Sequence, residues 1–483
     1  MRPLPLAVAL AGVLLAAGCA DAGKAESVAP PTVTAGGGPG PADQVRSAYS
    51  KEGWFGSADG LHARLDIRSV ERQGSKSVLR YSVTSMDSSA KSVPFEIALV
   101  DPVGRRLYKP TGTTSGAAFT PGATREMAAE YPPIPSDVQK VTAITPGTAG
   151  EFTGIPVTNA TSSSTPTLSA PSSPPSSSPG FGAEPFMAAR PLAPTSPSTT
   201  PPTTSSTTPS TTPGGNPVDL YGIVEAEIGK VESSDAGTTV ALGGDALFET
   251  NTAKLSSGAK AVLDGAAQRI KTTATGTLTI DGHAGDQKLS GERAEAVQKE
   301  MKSRLGDAFT YSATGKQGGN GVDLTYRLKS AEQSATSAAA FRAQDGKTVA
   351  TRTATFGKDK RRLEVKPFYR DGAYVVAVFD IVNEGPGTTP PDASYPDTGY
   401  PGGVFGSFSI QVPDKKDVYR AVRVGPATPG SPSNYLDPGR AVFRTTVGQP
   451  VRGFVYLPAP PGGATSVAFN AGPFGKVDKV PVS

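Results

Sequence analysis

Short runs with apolar residues at alternate positions occupy both ends of the chain. Examples are Leu79, Tyr81 and Val83 near the N-terminus and Tyr374, Val376 and Val378 near the C-terminus. A period of two is typical of half-buried β-strands, and Gly, Pro, Asp and Ser separate the runs as turn signals. Because neither region shows helical periodicity, we predict that each folds as a two-sheet β-sandwich.

The two regions are also related to each other in sequence. Residues 65–74 align without gaps with residues 363–372, and most of the paired positions are identical or conservative. Further matches follow in the same order along the chain: residues 95–101 with 408–414, 131–135 with 456–460, and 155–157 with 480–482. Ordered matches of this kind indicate an internal repeat. We therefore predict one sandwich module at residues 46–158 and a second copy at residues 330–483.

The region between the copies, residues 218–329, has a different pattern. Apolar residues at helical spacing predict a helix capped by Ser257 that runs to about Lys271, and a second helix from Leu289 to Leu305. Short apolar runs predict strands at residues 239–242, 276–282, 309–315 and 322–328. The order βαβαββ indicates a central α+β domain.

Residues 159–217 consist mainly of Ser, Thr, Pro and Gly, and such a segment cannot bury a core. Proline biases the segment toward extended conformations, so we expect a semi-rigid, disordered linker that divides the chain into two arms. The many hydroxyl groups are compatible with glycosylation and equally with a bare linker.

The N-terminus has the layout of an export signal. Arg2 is followed by an apolar run over residues 4–17, which is too short to span a bilayer as a helix, and then by Gly18 and Cys19. Residues 15–19 resemble a bacterial lipoprotein lipobox, with Ala16 where the family usually has Leu, and the chain has no other cysteine than Cys19. The resemblance implies that residues 1–19 are a lipoprotein signal peptide with its lipobox. Cys19 would be acylated, with residues 20–45 as a polar tether to the extracytoplasmic face of the cell membrane. The alternative is a simple signal peptide with an incidental cysteine.

Three motifs stand in order within the central domain. Residues 245–255 read D-A-L-F-E-T-N-T-A-K-L, residues 280–283 read I-D-G-H, and residues 286–297 read D-Q-K-L-S-G-E-R-A-E-A-V. Together they resemble the OmpA C-terminal, peptidoglycan-associating family, which has D-x-L-F-x-x-x-x-A-x-L, a strand ending in G-H, and N-x-x-L-S-x-x-R-A-x-x-V. The resemblance implies an OmpA-like α+β domain between two all-β modules, which themselves resemble immunoglobulin-like modules of exported bacterial lipoproteins in pattern.

The resemblance also implies a ligand and three site residues. The family binds the diaminopimelate-containing stem peptide of peptidoglycan, and Arg293 matches the family's ligand arginine, whose guanidinium can hold a carboxylate in bidentate fashion. The loop after His283 is shorter than in the family and lacks a Thr-Asp pair. Asp286 would therefore bind the ligand from a neighbouring position, while His283 supports the strand end. The alternative is a retained fold with a decayed site, in which Arg293 forms a salt bridge with Glu292 or Glu295.

Charge and residue content argue against several other functions. The 47 basic and 43 acidic residues leave a net charge of +4 without a dominant block, which argues against a nucleic-acid partner. The two histidines, His62 and His283, lie far apart in sequence, so a metal site or a catalytic triad would need partners from different modules. We therefore expect no enzyme, no catalytic residue, no metal and no cofactor.

Together these features predict a membrane-anchored envelope lipoprotein that associates non-covalently with peptidoglycan through its OmpA-like domain. Its sandwich modules would meet other envelope proteins, which the sequence does not name. The alternative is an extracytoplasmic protein-interaction lipoprotein whose OmpA-like domain has lost ligand binding and serves only as a spacer.

Overall fold

The computed structural model describes residues 48–56, 60–112, 116–160, 215–329, 337–387, 394–428, 431–438 and 446–483. The predicted signal peptide with Cys19, the tether at residues 20–45 and nearly all of the predicted linker lie outside these residues. Within them, β-strands predominate and the α-helices lie in the central region. The protein is a multidomain, β-rich molecule.

The N-terminal module is a two-sheet sandwich. Its strands are β1 (Tyr49–Phe55), β2 (Leu61–Gln73), β3 (Lys76–Ser85), β4 (Lys91–Val93), β5 (Ala98–Asp101), β6 (Arg106–Tyr108), β7 (Ala117–Phe119), β8 (Thr124–Tyr131), β9 (Lys140–Ile144) and β10 (Glu151–Asn159). One sheet has the order β1-β2-β3-β8, and the other has the order β10-β9-β5-β6. Inward side chains from both sheets, such as Leu65 and Val141, share one apolar core.

The central region combines one sheet with helices. Its elements are β11 (Val218–Ala226), β12 (Gly229–Ser233), β13 (Thr238–Gly243), α1 (Gly244–Leu247), α2 (Ala259–Thr273), β14 (Ala274–Ala284), α3 (Gln287–Leu305), β15 (Thr310–Gln317) and β16 (Gly321–Leu328). The strand order is β11-β12-β13-β16-β14-β15, and β14 and β15 run parallel. The predicted strands and helices of this region occur within a few residues of their expected positions. β11, β12 and α1 are additions that the apolar pattern did not predict.

The predicted cap of α2 is wrong, because the N-cap residue is Gly258, which has no side chain to cap the helix. Ser256, rather than Ser257, accepts a hydrogen bond from the backbone N–H of Ala259 through its Oγ, at 3.2 Å. The Ser256 hydroxyl also donates to the carbonyl of Ala246 at 2.8 Å. Ser256 therefore links the start of α2 to α1, a short helix that helical spacing did not reveal.

The C-terminal module contains the remaining strands. They are β17 (Ala350–Phe356), β18 (Asp359–Val365), β19 (Tyr369–Asp371), β20 (Tyr374–Gly385), β21 (Phe408–Gln411), β22 (Val418–Val424), β23 (Asn434–Tyr435), β24 (Pro450–Pro458), β25 (Ser466–Ala471) and β26 (Lys476–Pro481). One sheet has the order β17-β18-β20-β24, and the other has the order β26-β25-β21-β22. Strand for strand, this is the pairing scheme of the N-terminal module.

The register supports the sequence repeat at single-residue level. In the N-terminal module, Val157 of β10 pairs in parallel with Val70 of β2. In the C-terminal module, Val482 forms a parallel bridge with Phe368. The sequence alignment places Val157 opposite Val482 and Val70 opposite Phe368, so aligned residues make equivalent pairings. The internal repeat in sequence is therefore also a repeat in strand topology.

One aligned glycine pair occupies equivalent turns. Gly74 and Gly372 each begin a two-residue hairpin turn, with φ of +65° and +58°. A side chain is strained in this left-handed region. At Gly372 a Cβ atom would also lie 2.3 Å from the carbonyl oxygen of Pro102 in the N-terminal module. The second glycine thus serves both the turn and the contact between modules.

The modules pack together instead of forming two arms. β11 pairs with β12, with β22 of the C-terminal module and, through Val218 and Asp219, with β6 of the N-terminal module. A separate apolar core between the modules contains residues such as Val100, Leu220 and Phe454. Both flanks of the linker therefore enter the same compact unit. The linker composition indicated correctly which residues cannot form a core, but it carries no information on where the flanking strands pack.

Strand β20 shows how the modules share surface. Its alternate residues face different cores, with Val375, Ala377 and Phe379 in the core of the C-terminal module and Tyr374, Val376 and Val378 in the core between modules. An alternating pattern was expected here, with one face in solvent. Because the N-terminal module covers the outer face, the strand is apolar on both sides.

Candidate functional site

A cleft of about 210 Å³ lies beside α1 and the first turns of α3. It is lined by Gly244, Asp245, Phe248, Glu249, Thr250, Asn251, Ala284, Gly285, Leu289, Arg293, Gly319 and Asn320. The lining comes from the motif at residues 245–255, the end of β14, the start of α3 and the turn before β16. The first sequence motif and the third, which carries the predicted ligand arginine, therefore meet in one place, directly after the strand that holds the second.

Close packing of α3 on the sheet brings Arg293 to this cleft. A Cβ atom at Gly282 would lie 2.1 Å from the carbonyl oxygen of Ser290, and one at Gly315 would lie 2.5 Å from the amide nitrogen of Gly291. Either side chain would push the helix away from β14 and β15. The glycine of the strand that ends in Gly-His thus has a steric role in positioning α3.

Arg293 is 5% exposed and is held by neutral acceptors. Its Nε donates to the carbonyl of Thr252 at 3.0 Å, and its Nη1 donates to the carbonyl of His283 at 3.1 Å and to Oδ1 of Asn320 at 2.8 Å. The guanidinium also lies 4.8 Å from the ring centre of Phe248. Its Nη2 donates to no described residue. Within the described ranges, neither Glu292 nor Glu295 forms an ion pair with Arg293, in contrast to the alternative role considered from the sequence.

Asn320 connects Arg293 to a carboxylate that sequence reasoning missed. Its Oδ1 accepts from Arg293, and its Nδ2 donates to Oδ1 of Asp245 at 2.9 Å. Asp245 lies in the opening motif, where its position before Leu247 and Phe248 was read only as part of a family pattern. The other carboxylate oxygen, Oδ2, accepts no hydrogen bond from the part of the chain that the structure describes. The opening motif thus contained Asp245, but nothing in the sequence placed this residue beside Arg293.

Asp286 has a different position from the one predicted. It is the N-cap of α3, and its Oδ2 accepts a hydrogen bond from the backbone N–H of Leu289 at 2.8 Å. It does not line the cleft, whereas its neighbour Gly285 does. The structure therefore does not bring Asp286 together with Arg293.

His283 contributes to the cleft through its backbone. Because side chains alternate along a strand and Gly282 faces α3, the His283 ring points to the opposite face of the sheet. There its Nε2 lies 3.1 Å from Oδ2 of Asp323. Its carbonyl accepts from Arg293. This arrangement agrees with a supporting position at the strand end, while the ring does not reach the cleft.

Another largely buried arginine, Arg452, lies between the two sandwich modules. It contacts Glu151 with Nη1 at 3.0 Å and Nη2 at 2.7 Å, and Asp345 with Nε at 2.6 Å and Nη2 at 2.8 Å. The hydroxyl of Tyr369 donates to Glu151 at 2.6 Å. Burial would raise the pKa of Glu151, but the charges of Arg452 and Lys51 and these hydrogen bonds outweigh it and lower the pKa to about 2. Burial lowers the pKa of Lys51 to about 8.

No group of three or more His, Cys, Asp or Glu side chains in the described ranges is arranged to hold a metal ion. Among the helices that the structure describes, none is both long enough and apolar enough to cross a membrane.

Comparisons with known proteins give only distant likenesses. No family model matches the chain, and no curated protein matches it. Among solved structures, the cell wall anchor of the T6SS from Pseudomonas aeruginosa is 21% identical with a TM-score of 0.18, over 19% of this chain and 82% of that one. The periplasmic domain of Helicobacter pylori MotB is 14% identical with a TM-score of 0.20, over 22% of this chain and 82% of that one.

Proposed function

We propose that this protein is a lipid-anchored lipoprotein on the extracytoplasmic face of the cell membrane that binds peptidoglycan non-covalently through the cleft at Arg293. One observation carries the binding part of the proposal. Arg293 is buried and lines a cleft, no described acidic side chain forms an ion pair with it, and its Nη2 donates to no described residue. The function is one of binding and involves no catalytic step.

A buried guanidinium is stable only when its charge and its N–H groups are satisfied. The carbonyls of Thr252 and His283 and the amide oxygen of Asn320 accept three hydrogen bonds from Arg293 but carry no negative charge. A carboxylate bound in the cleft would supply the missing charge and accept from Nη2. The stem peptide of peptidoglycan carries such carboxylates.

The resemblance of residues 286–297 to the OmpA C-terminal family supports this choice of ligand, because Arg293 stands at the arginine of that pattern. The departures from the pattern concern Asp286, which caps α3. They do not concern Arg293. The arginine half of the family's site is therefore the half on which the proposal rests.

Peptidoglycan sedimentation with the full chain in detergent tests the proposal. The full chain is preferable to residues 218–329, because β11 pairs with β22 of the C-terminal module. Wild type should sediment with insoluble peptidoglycan, and Arg293→Ala should weaken binding by on the order of 2 kcal/mol, or about thirtyfold. Arg304→Ala is the matched control, since Arg304 lies on the same helix but pairs with Asp264 and Glu300.

Equal sedimentation of wild type and Arg293→Ala would contradict the proposal. It would favour the second candidate, a protein-interaction lipoprotein whose central domain is a spacer. One observation supports that candidate: β11 of the central domain pairs with a strand of each sandwich module.

The membrane anchor is tested separately through Cys19. Cys19→Ala should release the protein to the medium or leave it unprocessed, because the variant lacks the acylated residue. Arg293→Ala should remain in the membrane fraction and serves as the control. Membrane association of Cys19→Ala equal to that of wild type would contradict lipid anchoring.

A further inference from the structure

The cleft contains one cation and two acidic residues, and the two acids differ in their partners. Glu249 forms an ion pair with Lys254 at 2.7 Å. Asp245 forms no ion pair within the described ranges, and its single hydrogen bond comes from the neutral amide of Asn320. After the Glu249–Lys254 pair is set aside, the cleft has one positive group, Arg293, and one negative group, Asp245.

The two remaining charged groups are close but form no ion pair with each other. Asn320 lies between them, accepting from Arg293 at 2.8 Å and donating to Asp245 at 2.9 Å. The Asn320 amide thus lies between the Arg293 guanidinium and the Asp245 carboxylate and holds them one amide group apart. Nη2 of Arg293 and Oδ2 of Asp245 remain without a described partner. A ligand complementary to this pair has a carboxylate and an ammonium group a short distance apart.

We propose that Asp245 binds an ammonium group, so that the cleft recognises a zwitterionic amino-acid end with its carboxylate on Arg293. The inference rests on the proposed function and adds the residue that selects for the amine. In this chain the acidic residue comes from α1, whereas Asp286 is engaged as the cap of α3.

The inference makes a specificity prediction. A ligand with carboxylates but no amine would leave Asp245 without a cation in the occupied cleft. An acceptor left unpaired on binding loses affinity, and charged groups lose more than neutral ones. The amine should therefore add at least about tenfold to affinity.

Calorimetric titration of the full chain in detergent with two small acids tests this prediction. Diaminopimelic acid and pimelic acid share a seven-carbon dicarboxylate chain and differ in the two amino groups. Wild type should bind diaminopimelic acid at least about tenfold more tightly. Asp245→Asn should lose this preference, while the similar shape of Asn retains the contact with Asn320. Asp286→Asn, which retains a capping residue, should keep the preference.

Each outcome has a definite meaning when peptidoglycan sedimentation is measured on the same preparations, with equal melting temperatures as the check of folding. If wild type sediments but shows no preference between the acids, or binds neither, the zwitterion inference is overturned and the proposed function stands. Retained preference in Asp245→Asn overturns the role of Asp245. Failure of wild type to sediment overturns the proposed function itself.

Discussion

Arg452 and Arg293 are both largely removed from solvent, yet their surroundings differ in kind. Arg452, between the sandwich modules, contacts two carboxylates in bidentate fashion. Arg293, beside the cleft, contacts two backbone carbonyls, an amide oxygen and an aromatic ring. The first arginine has its charge balanced within the protein. The second forms no ion pair within the described residues, and its Nη2 donates to none of them.

This difference separates a structural role from a binding role. A buried ion pair is costly to break, because loss of one partner leaves an uncompensated charge in the interior. A buried arginine with only neutral partners can still form its strongest interaction, a charge-assisted hydrogen bond, with an anionic group of a ligand. The two sites therefore predict opposite responses, with stability changing at Arg452 and binding changing at Arg293.

The largest effect is expected for Arg452→Ala. The substitution leaves Glu151, which is 1% exposed, without its bidentate partner. We expect the free energy of unfolding to fall by about 3–5 kcal/mol, measured by denaturant titration. Arg68→Ala is the control, because the exposed Arg68–Glu126 pair should contribute less than about 1 kcal/mol. Similar losses for the two variants would remove the distinction on which the comparison depends.

The second largest effect is expected at acid pH, which should weaken the interface around Arg452. The folded-state pKa of Glu151, about 2, lies below its ordinary value of 4.5. A depressed carboxyl pKa contributes stability above pH 4.5, and this contribution is lost as pH falls toward 2. The free energy of unfolding, measured by denaturant titration between pH 5 and 2, should therefore change less with pH in Glu151→Gln than in wild type. Some pH dependence should remain because of Glu232, whose pKa is lowered to about 2 by hydrogen bonds from Arg423 and Lys230 that outweigh its burial. Parallel curves for the two proteins would contradict this assignment.

Arg293→Ala should have a smaller effect on folding than Arg452→Ala. It leaves the carbonyls of Thr252 and His283 without this donor, which costs about 1–3 kcal/mol. No buried carboxylate loses its partner. The same denaturant titration should thus rank Arg293→Ala below Arg452→Ala in lost stability, while only Arg293→Ala loses peptidoglycan binding. A loss of stability as large as that of Arg452→Ala would indicate a structural role for Arg293.

The smallest effect concerns Asp286. Loss of its side-chain cap in Asp286→Ala should reduce stability by about 1 kcal/mol, and Asp286→Asn should restore most of this. Peptidoglycan sedimentation should be unchanged in both, because Asp286 does not line the cleft. Loss of sedimentation in Asp286→Asn would return Asp286 to the ligand set and sharpen the contrast with Asp245.

Local pattern was sufficient for much of the fold. Periods of two and of 3.6 residues predicted β13 to β16, α2 and α3 to within a few residues, because these periods follow directly from strand and helix geometry. The β11–β12 hairpin and the four-residue α1 were not predicted. The pattern that carries Arg293 lies within one helix, so it could be recognised from the sequence alone, while the role of Arg293 in binding stays a prediction.

The sequence by itself determined β13 to β16, the two main helices, the repeat and the place of Arg293 in its helix, since each depends on residues close together in the chain or aligned between copies. Only the tertiary structure decided that Asp245, 75 residues from Asn320, stands in the cleft instead of Asp286. It also decided that Glu151 meets Arg452 across 301 residues, in an interface that joins the expected arms. Such contacts depend on how whole elements pack, and the periodicity of one element is the same whichever partner covers its outer face.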